Sequence, residues 1–325
     1  MASSANRNFG VDLARTLAIL GVLLVHSGVF LNGRFGVQLF FLVSGYLLAD
    51  LGKLSGRKFL IRRGFRLFPL YWVILILFYL GNYDSLWQIF ISIVLLQSTH
   101  WTFTSTPGSW SISNEWLFSL LLPLIQRITK NQLILLIGLS WLAQIFSSFM
   151  VYQWGGVLEN ESQSQYALKI WLNTLNPAIN LAFFLIGIGL KKGFIPILNS
   201  KLTAFTIILL GQLSSTILGL DMLFMWPPIL WAIFSQCIQW KPSSNILKKL
   251  VTFIGQRTYG IFFIHFIFLR TAQEFDWIKG ITESLGIRHW ILFVITLFAS
   301  AVLAEISWRF IENPMIKFSR KLIQR

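Results

Sequence analysis

The sequence predicts an all-α membrane protein, a polytopic transmembrane helical bundle of about ten spans with both termini in the cytoplasm. Three observations predict it. Hydrophobic residues make up 55% of the 325-residue chain and charged residues only 12%, against about 25% in soluble domains. Apolar runs of about 15 to 22 residues recur along the whole length, which is what a bilayer-crossing helix needs. Basic residues concentrate in alternate connections, as the positive-inside rule requires.

The spans read in order as follows. The first, near 13–31, carries Arg15 and His26 and has no small-residue cleavage site after it, so it reads as a retained helix rather than a signal peptide. The second, 36–51, contains Ser44 and Gly45, small residues that let helices approach closely. The run RKFLIRRGFRLFP at 57–69 reads as a cytoplasmic loop ahead of a span at 67–81. The stretch 86–126 is interrupted. Charge parity between Asp84 and Arg127 allows one net crossing, yet two short apolar pieces, 86–97 and 115–126, flank a polar segment with Pro107 and Gly108. A re-entrant or irregular segment is therefore expected near 98–114, because such backbone survives at membrane depth only when buried in protein or lining a wet cavity. Spans near 132–153, 171–190, 202–218, 222–240, 252–272 and 290–310 complete the set.

The charges orient this bundle. Arg7, Lys53 to Arg66, Arg127 with Lys130, Lys191 to Lys201, Lys241 to Lys249 and the tail from Arg309 hold 20 of the 27 Lys and Arg residues, and these connections are expected inside. The opposite connections hold most of the acids, namely Asp84, Glu159, Glu161, Asp221, Glu274, Asp276 and Glu283. The net charge of +15 is then a topology signal, and no nucleic-acid partner is expected. The single cysteine, Cys237, excludes an intramolecular disulfide, and the four scattered histidines offer no metal-ligand spacing.

Several residues stand out chemically. Arg15 and His26 are eleven residues apart, so about 100° per residue returns them to nearly one face, roughly 16 Å apart along a helix. An ionisable stripe inside a membrane helix points to an interior path or site, and imidazole exchanges protons near neutral pH. The plainer alternative is an interior histidine satisfied by a neighbouring helix. Arg62, Arg63 and Arg66 fall within five residues. Guanidinium forks suit phosphate, although a basic loop also serves topology or lipid headgroups. Glu115 opens an apolar run near a membrane boundary. His265 follows Tyr259 in an apolar run and reads first as a structural hydrogen-bonding group, with substrate binding as the alternative. His100 and His289 near span ends read as wet surface residues. Glu305 and Glu312 are spaced to pair with Arg309 on one helix face. Trp110 and Trp116 read mainly as interfacial, with stacking on a sugar as the alternative.

Taken together these pieces resemble the acyltransferase-3 family of polytopic membrane O-acyltransferases, over essentially the whole chain. The resemblance rests on Arg15 with ten intervening residues before His26, FFLVSGYLL at 40–48, RRGFRLFPLYW at 62–72 with its paired Arg63 and Arg66, WSISNEWLFSLLLPLI at 110–125 with Glu115, and IGQRTYGIFFIHFIF at 254–268. FSLLLP replaces the aromatic pair that many members carry after the tryptophan. The whole chain, 1–325, is expected to be one integral membrane acyltransferase domain, without the extracytoplasmic esterase-like domain that some members append.

The resemblance implies transfer of an acyl group, usually acetyl, from cytosolic acyl-CoA to a hydroxyl of a cell-envelope or exported glycan or lipid-linked sugar, or of a small molecule. The expected setting is a bacterial inner membrane. Acyl-CoA would be a substrate, with no permanently bound cofactor and no metal. Arg15, Arg62, Arg63 and Arg66 are expected to bind the donor. His26 would be general base or acyl carrier, and Glu115 would orient an imidazole or hold acceptor hydroxyls. Ser44, Trp110, Tyr259 and His265 are possible substrate contacts. Two other classes are a proton-coupled transporter using the buried Arg, His and Glu, for which no internal repeat is found, and a non-catalytic membrane protein.

Overall fold

The computed structural model describes residues 8–29, 34–50, 56–82, 85–100, 107–153, 163–218, 226–274 and 288–324. Thirteen α-helices and no strand are found among the described residues. They are α1 Phe9–His26, α2 Arg34–Leu48, α3 Gly56–Ile74, α4 Leu86–Ile93, α5 Ser109–Ile125, α6 Lys130–Gln153, α7 Gln163–Ile170, α8 Pro177–Lys191, α9 Lys201–Leu218, α10 Trp226–Gln239, α11 Asn245–Glu274, α12 Arg288–Ser307 and α13 Asn313–Gln324. Four stretches, Phe9–His26, Lys130–Val151, Asn245–Leu269 and His289–Gln324, are long and apolar enough to cross a membrane. The chain is thus an all-helical integral membrane protein. The acids expected on the outer side, Asp84, Glu159, Glu161, Asp221, Asp276 and Glu283, together with 101–106 of the expected irregular segment, lie outside the described residues.

Packing is centred on α2 and α8, which make the most extensive helix pair, with α1 against α2 and α11, and α6 covering α8. Two glycines allow it. A Cβ on Gly45 would lie 1.9 Å from the Phe184 carbonyl oxygen, and one on Gly187 would lie 2.0 Å from that of Leu42. Each backbone therefore occupies the place of the other's side chain, which is how membrane helices gain packing without a hydrophobic drive between them. Outside, α6, α9 and α12 present Leu135, Leu142, Phe146, Leu202, Phe205, Val294 and Phe298 as exposed apolar faces. Faces of this extent suit lipid rather than water.

Several local expectations need correction. The run at 57–69 is not a loop: it is the body of α3, which continues through Pro69, although the proline ring removes one helical N–H. The arginines therefore project from a helix against the bundle. Lys248 and Lys249 likewise belong to α11. Arg309 pairs with Glu305 (2.6 Å), which also pairs with Arg257, but Glu312 does not join them. A π-turn over Trp308–Glu312 shifts the register, and Glu312 accepts from Ser307 Oγ at 3.1 Å instead.

Within the expected irregular segment, 98–100 and 107–108 lie outside the α-helices, whereas 109–114 belong to α5, and several of its polar groups are bonded. Leu95 has φ +56°, and a 3₁₀ turn covers Gln97–Thr99. Ser98 N–H donates to Ser113 Oγ (3.1 Å), Gln97 Nε2 to the Ser109 carbonyl (3.1 Å), and Trp171 Nε1 to the Ser98 carbonyl (2.8 Å). Buried backbone outside a helix finds partners in this way.

Gly45→Ala and Gly187→Ala are each expected to lower stability in detergent by about 1–3 kcal/mol, the usual cost of overpacking. Gly138→Ala on α6, where a Cβ meets nothing within 4 Å, is the control and should be neutral or slightly stabilising. Thermal unfolding followed by circular dichroism checks this. Equal effects at all three positions would contradict the close-contact account.

Candidate active site

Residues from five helices meet around one cavity of about 990 Å³. Its lining includes Arg15 from α1, Ser44 from α2, Arg62, Arg63 and Arg66 from α3, Glu115 from α5 and Tyr259 from α11. Seven of the ten residues singled out from sequence are thus brought together. His26, Trp110 and His265 are not among the lining residues.

A buried ion pair organises the cavity wall. Arg63 Nη2 lies 2.6 Å from Glu115 Oε1, with the side chains 6% and 16% exposed. Ser44 Oγ donates to the same oxygen at 2.7 Å, and Arg63 Nε donates to Ser119 Oγ at 3.1 Å. Ser119 Oγ in turn donates to the Glu115 carbonyl at 2.7 Å. One guanidinium and one carboxylate therefore tie α2, α3 and α5 together. Both bonds go to Oε1 of Glu115, and no hydrogen bond between Glu115 and the His26 imidazole is found among the described residues. Strong, short, charge-assisted bonds of this kind are what a buried guanidinium needs.

Arg62 and Arg66 are different. Both are half-buried on the cavity wall, and neither has a hydrogen-bond or ion-pair partner among the described residues. The sequence reading missed Lys191 and Arg320, which also line the cavity. Lys191 pairs with Asp50 at 2.9 Å. Six cationic side chains thus face three carboxylates, those of Asp12, Asp50 and Glu115. A cleft lined mainly by one sign of charge in an apolar surround concentrates anions. Tyr259 reaches across from α11, its hydroxyl donating to the Leu67 carbonyl on α3.

His26 ends α1 and is exposed, outside the cavity lining. Its ring lies 5.3 Å from that of His265 and 4.7 Å from that of Phe266. His265 is fully buried, with Nδ1 3.2 Å from the Ile261 carbonyl oxygen. A carbonyl only accepts, so this bond places the proton on Nδ1. His265 Nε2 has no hydrogen-bond partner among the described residues. His289 Nδ1 lies 3.0 Å from the Ser27 carbonyl oxygen, so this histidine helps fix the end of α1 rather than serving only as a wet surface group. Phe262 links the two regions: it lines the cavity and its ring lies 5.9 Å from that of His265. Gly108, at φ +72°, opens α5 against this aromatic wall, where a Cβ would lie 2.5 Å from Phe266 and 3.0 Å from Phe262. Trp110 packs behind the wall, 6.3 Å from the ring of Phe41.

Comparison with known proteins decides the family. The family model described as an acyltransferase domain matches residues 8–306. The chain belongs to the acyltransferase-3 family. A Staphylococcus aureus (strain COL) protein provisionally named an O-acetyltransferase is 24% identical, over 95% of this chain and 57% of its own length. The chain thus spans little more than half of that relative. Nodulation protein 10 of Rhizobium leguminosarum bv. viciae is 24% identical over 99% of this chain and 97% of its own. No solved structure matches.

The ion pair gives a direct prediction. Arg63→Met or Glu115→Leu alone should destabilise by about 3–5 kcal/mol, because each leaves a buried charge uncompensated. The double change should cost clearly less than the sum. Thermal unfolding of the three variants in detergent measures the coupling, and strict additivity would contradict it.

Proposed function

We propose that this chain is a membrane O-acyltransferase that moves an acyl group, acetyl in the first instance, from cytosolic acyl-CoA to a hydroxyl of a cell-envelope or exported glycan. The observation that carries the reading is the cavity of about 990 Å³ with unpaired Arg62 and Arg66 on its wall. That volume lies at the upper end of small-molecule sites, about 300–1,000 Å³, and suits a nucleotide-sized ligand. Unpaired guanidiniums in a cleft suit phosphates. Membership of the family and the name of the Staphylococcus aureus relative support acyl transfer.

In this reading the phosphates of acyl-CoA sit among the arginines on the cytoplasmic side. Arg63, held by Glu115 and Ser119, fixes the wall, and Arg62 and Arg66 take the charge. The pantetheine arm follows α1 from Arg15 toward His26, roughly 16 Å along the axis, past Phe262. The acceptor hydroxyl arrives from the opposite side of the membrane. His26 takes its proton as the hydroxyl oxygen attacks the thioester carbonyl. The tetrahedral intermediate then expels the CoA sulfur, which receives a proton from the imidazolium, and the ester is released. In the same proposal the chain is a bundle of about ten spans with both termini in the cytoplasm, in a bacterial inner membrane, with donor and acceptor approaching from opposite sides.

Acetyl-CoA binding and transfer by the purified protein test this. Arg62→Ala and Arg66→Ala should each weaken donor binding by about 1.5–3 kcal/mol, the worth of a hydrogen bond to a charged group. His26→Gln should keep donor affinity and lose roughly 10²–10⁴-fold in turnover, the contribution of a positioned general base. Near-normal turnover of His26→Gln, or unchanged donor affinity in the double arginine variant, would refute the corresponding assignment.

A further inference from the structure

The mouth of the arginine cavity is built partly by chain that the family match leaves out. The match ends at residue 306, and beyond it come the π-turn and α13. α13 packs on α3. The ring of Phe318 lies 5.5 Å from that of Phe65, and Ser319 is buried with its hydroxyl bonded to the Ile316 carbonyl at 2.8 Å. With those two neighbours set against α3, the next residue, Arg320, lines the cavity together with Arg62.

The arginines are graded by depth. Arg63 is buried, Arg62 and Arg66 are half-buried, and Arg320 is exposed. Arg62 and Arg320 are close enough to repel one another, and neither has a carboxylate partner among the described residues. Two unpaired guanidiniums brought together by separate helices carry a mutual repulsion that a bound anion relieves. An acyl-CoA entering thioester-first presents its 3′-phosphate at the end farthest from the thioester. As a phosphomonoester it carries about −1.5 to −2 charge at pH 7, more than each diphosphate group, and has three free oxygens for guanidinium forks.

We propose that Arg320 of α13, together with Arg62, forms a second anion subsite at the cavity mouth that recognises the 3′-phosphate of the donor, so that α13 sets the preference for CoA over its dephosphorylated form. The proposal rests on the reading of the cavity as an acyl-CoA site.

The test compares acetyl-CoA with acetyl-3′-dephospho-CoA, binding to the full chain in a neutral detergent without anionic lipid. The wild type should prefer acetyl-CoA by roughly ten- to hundredfold, the worth of one charge-assisted contact. Arg320→Ala should reduce affinity for acetyl-CoA by about that factor and leave acetyl-3′-dephospho-CoA unchanged, so that the preference collapses. Arg320→Lys should keep part of it. Lys317→Ala, which removes an exposed charge of the same helix outside the cavity lining, should leave the preference intact. Equal weakening of both donors by Arg320→Ala, loss of preference with Lys317→Ala as well, or no preference in the wild type would overturn the subsite while leaving the acyl-CoA reading in place. Failure of the wild type to bind either donor would overturn both.

Discussion

Burying a guanidinium in an apolar bundle is costly unless a carboxylate and further hydrogen bonds accompany it, and this constraint shapes the site. Arg63 meets it with Glu115 and Ser119, and Ser44 completes the carboxylate's shell. Because these residues come from α2, α3 and α5, the requirement to satisfy one charge fixes three helices relative to one another. Arg62 and Arg66 lie on the same helix as Arg63, one and three residues away, and are positioned by it. They are left with hydrogen-bonding capacity toward the cavity. One arginine is thus spent on architecture, and its neighbours stay available for a ligand.

The second constraint is the separation between cation-lined cavity and histidine pair. Arg15 lines the cavity while His26, on the same helix, stands at its far end beside His265. The two regions touch at Phe262, an apolar ring that belongs to both. A long, thin donor with a charged head and a reactive tail suits that layout better than a compact ligand. Gly108 lets α5 close against this wall without a side chain in the way.

Much of the site was legible in the sequence. The arginine trio and Glu115 were picked out by residue type and spacing, Ser44 first as a close-packing residue and Tyr259 through the family resemblance, and all of them converge on one cavity. Their mutual roles were not legible. The pairing of Arg63 with Glu115 spans 52 residues of sequence, and no local pattern distinguishes the structural arginine from its two unpaired neighbours. The basic run at 57–69 read as a loop because charge density and Pro69 outweighed its helical periodicity; burial of Phe59, Leu67 and Leu70 overrides both. Arg320 was counted only as a topological charge. Its place follows from how α13 packs, although the apolar spacing of Met315, Phe318 and Leu322 marks that helix as amphipathic.

The central claim is that one donor occupies both regions, its phosphates among the arginines and its acyl carbon beside His26. An acyl-CoA analogue with a photoreactive acyl group, crosslinked to the purified protein and mapped by mass spectrometry, measures this directly. The account predicts label on the end of α1 near His26 and on Phe262 or Phe266 of α11, suppressed by excess acetyl-CoA. Competable label confined to other helices, such as α6 or α9, would contradict it.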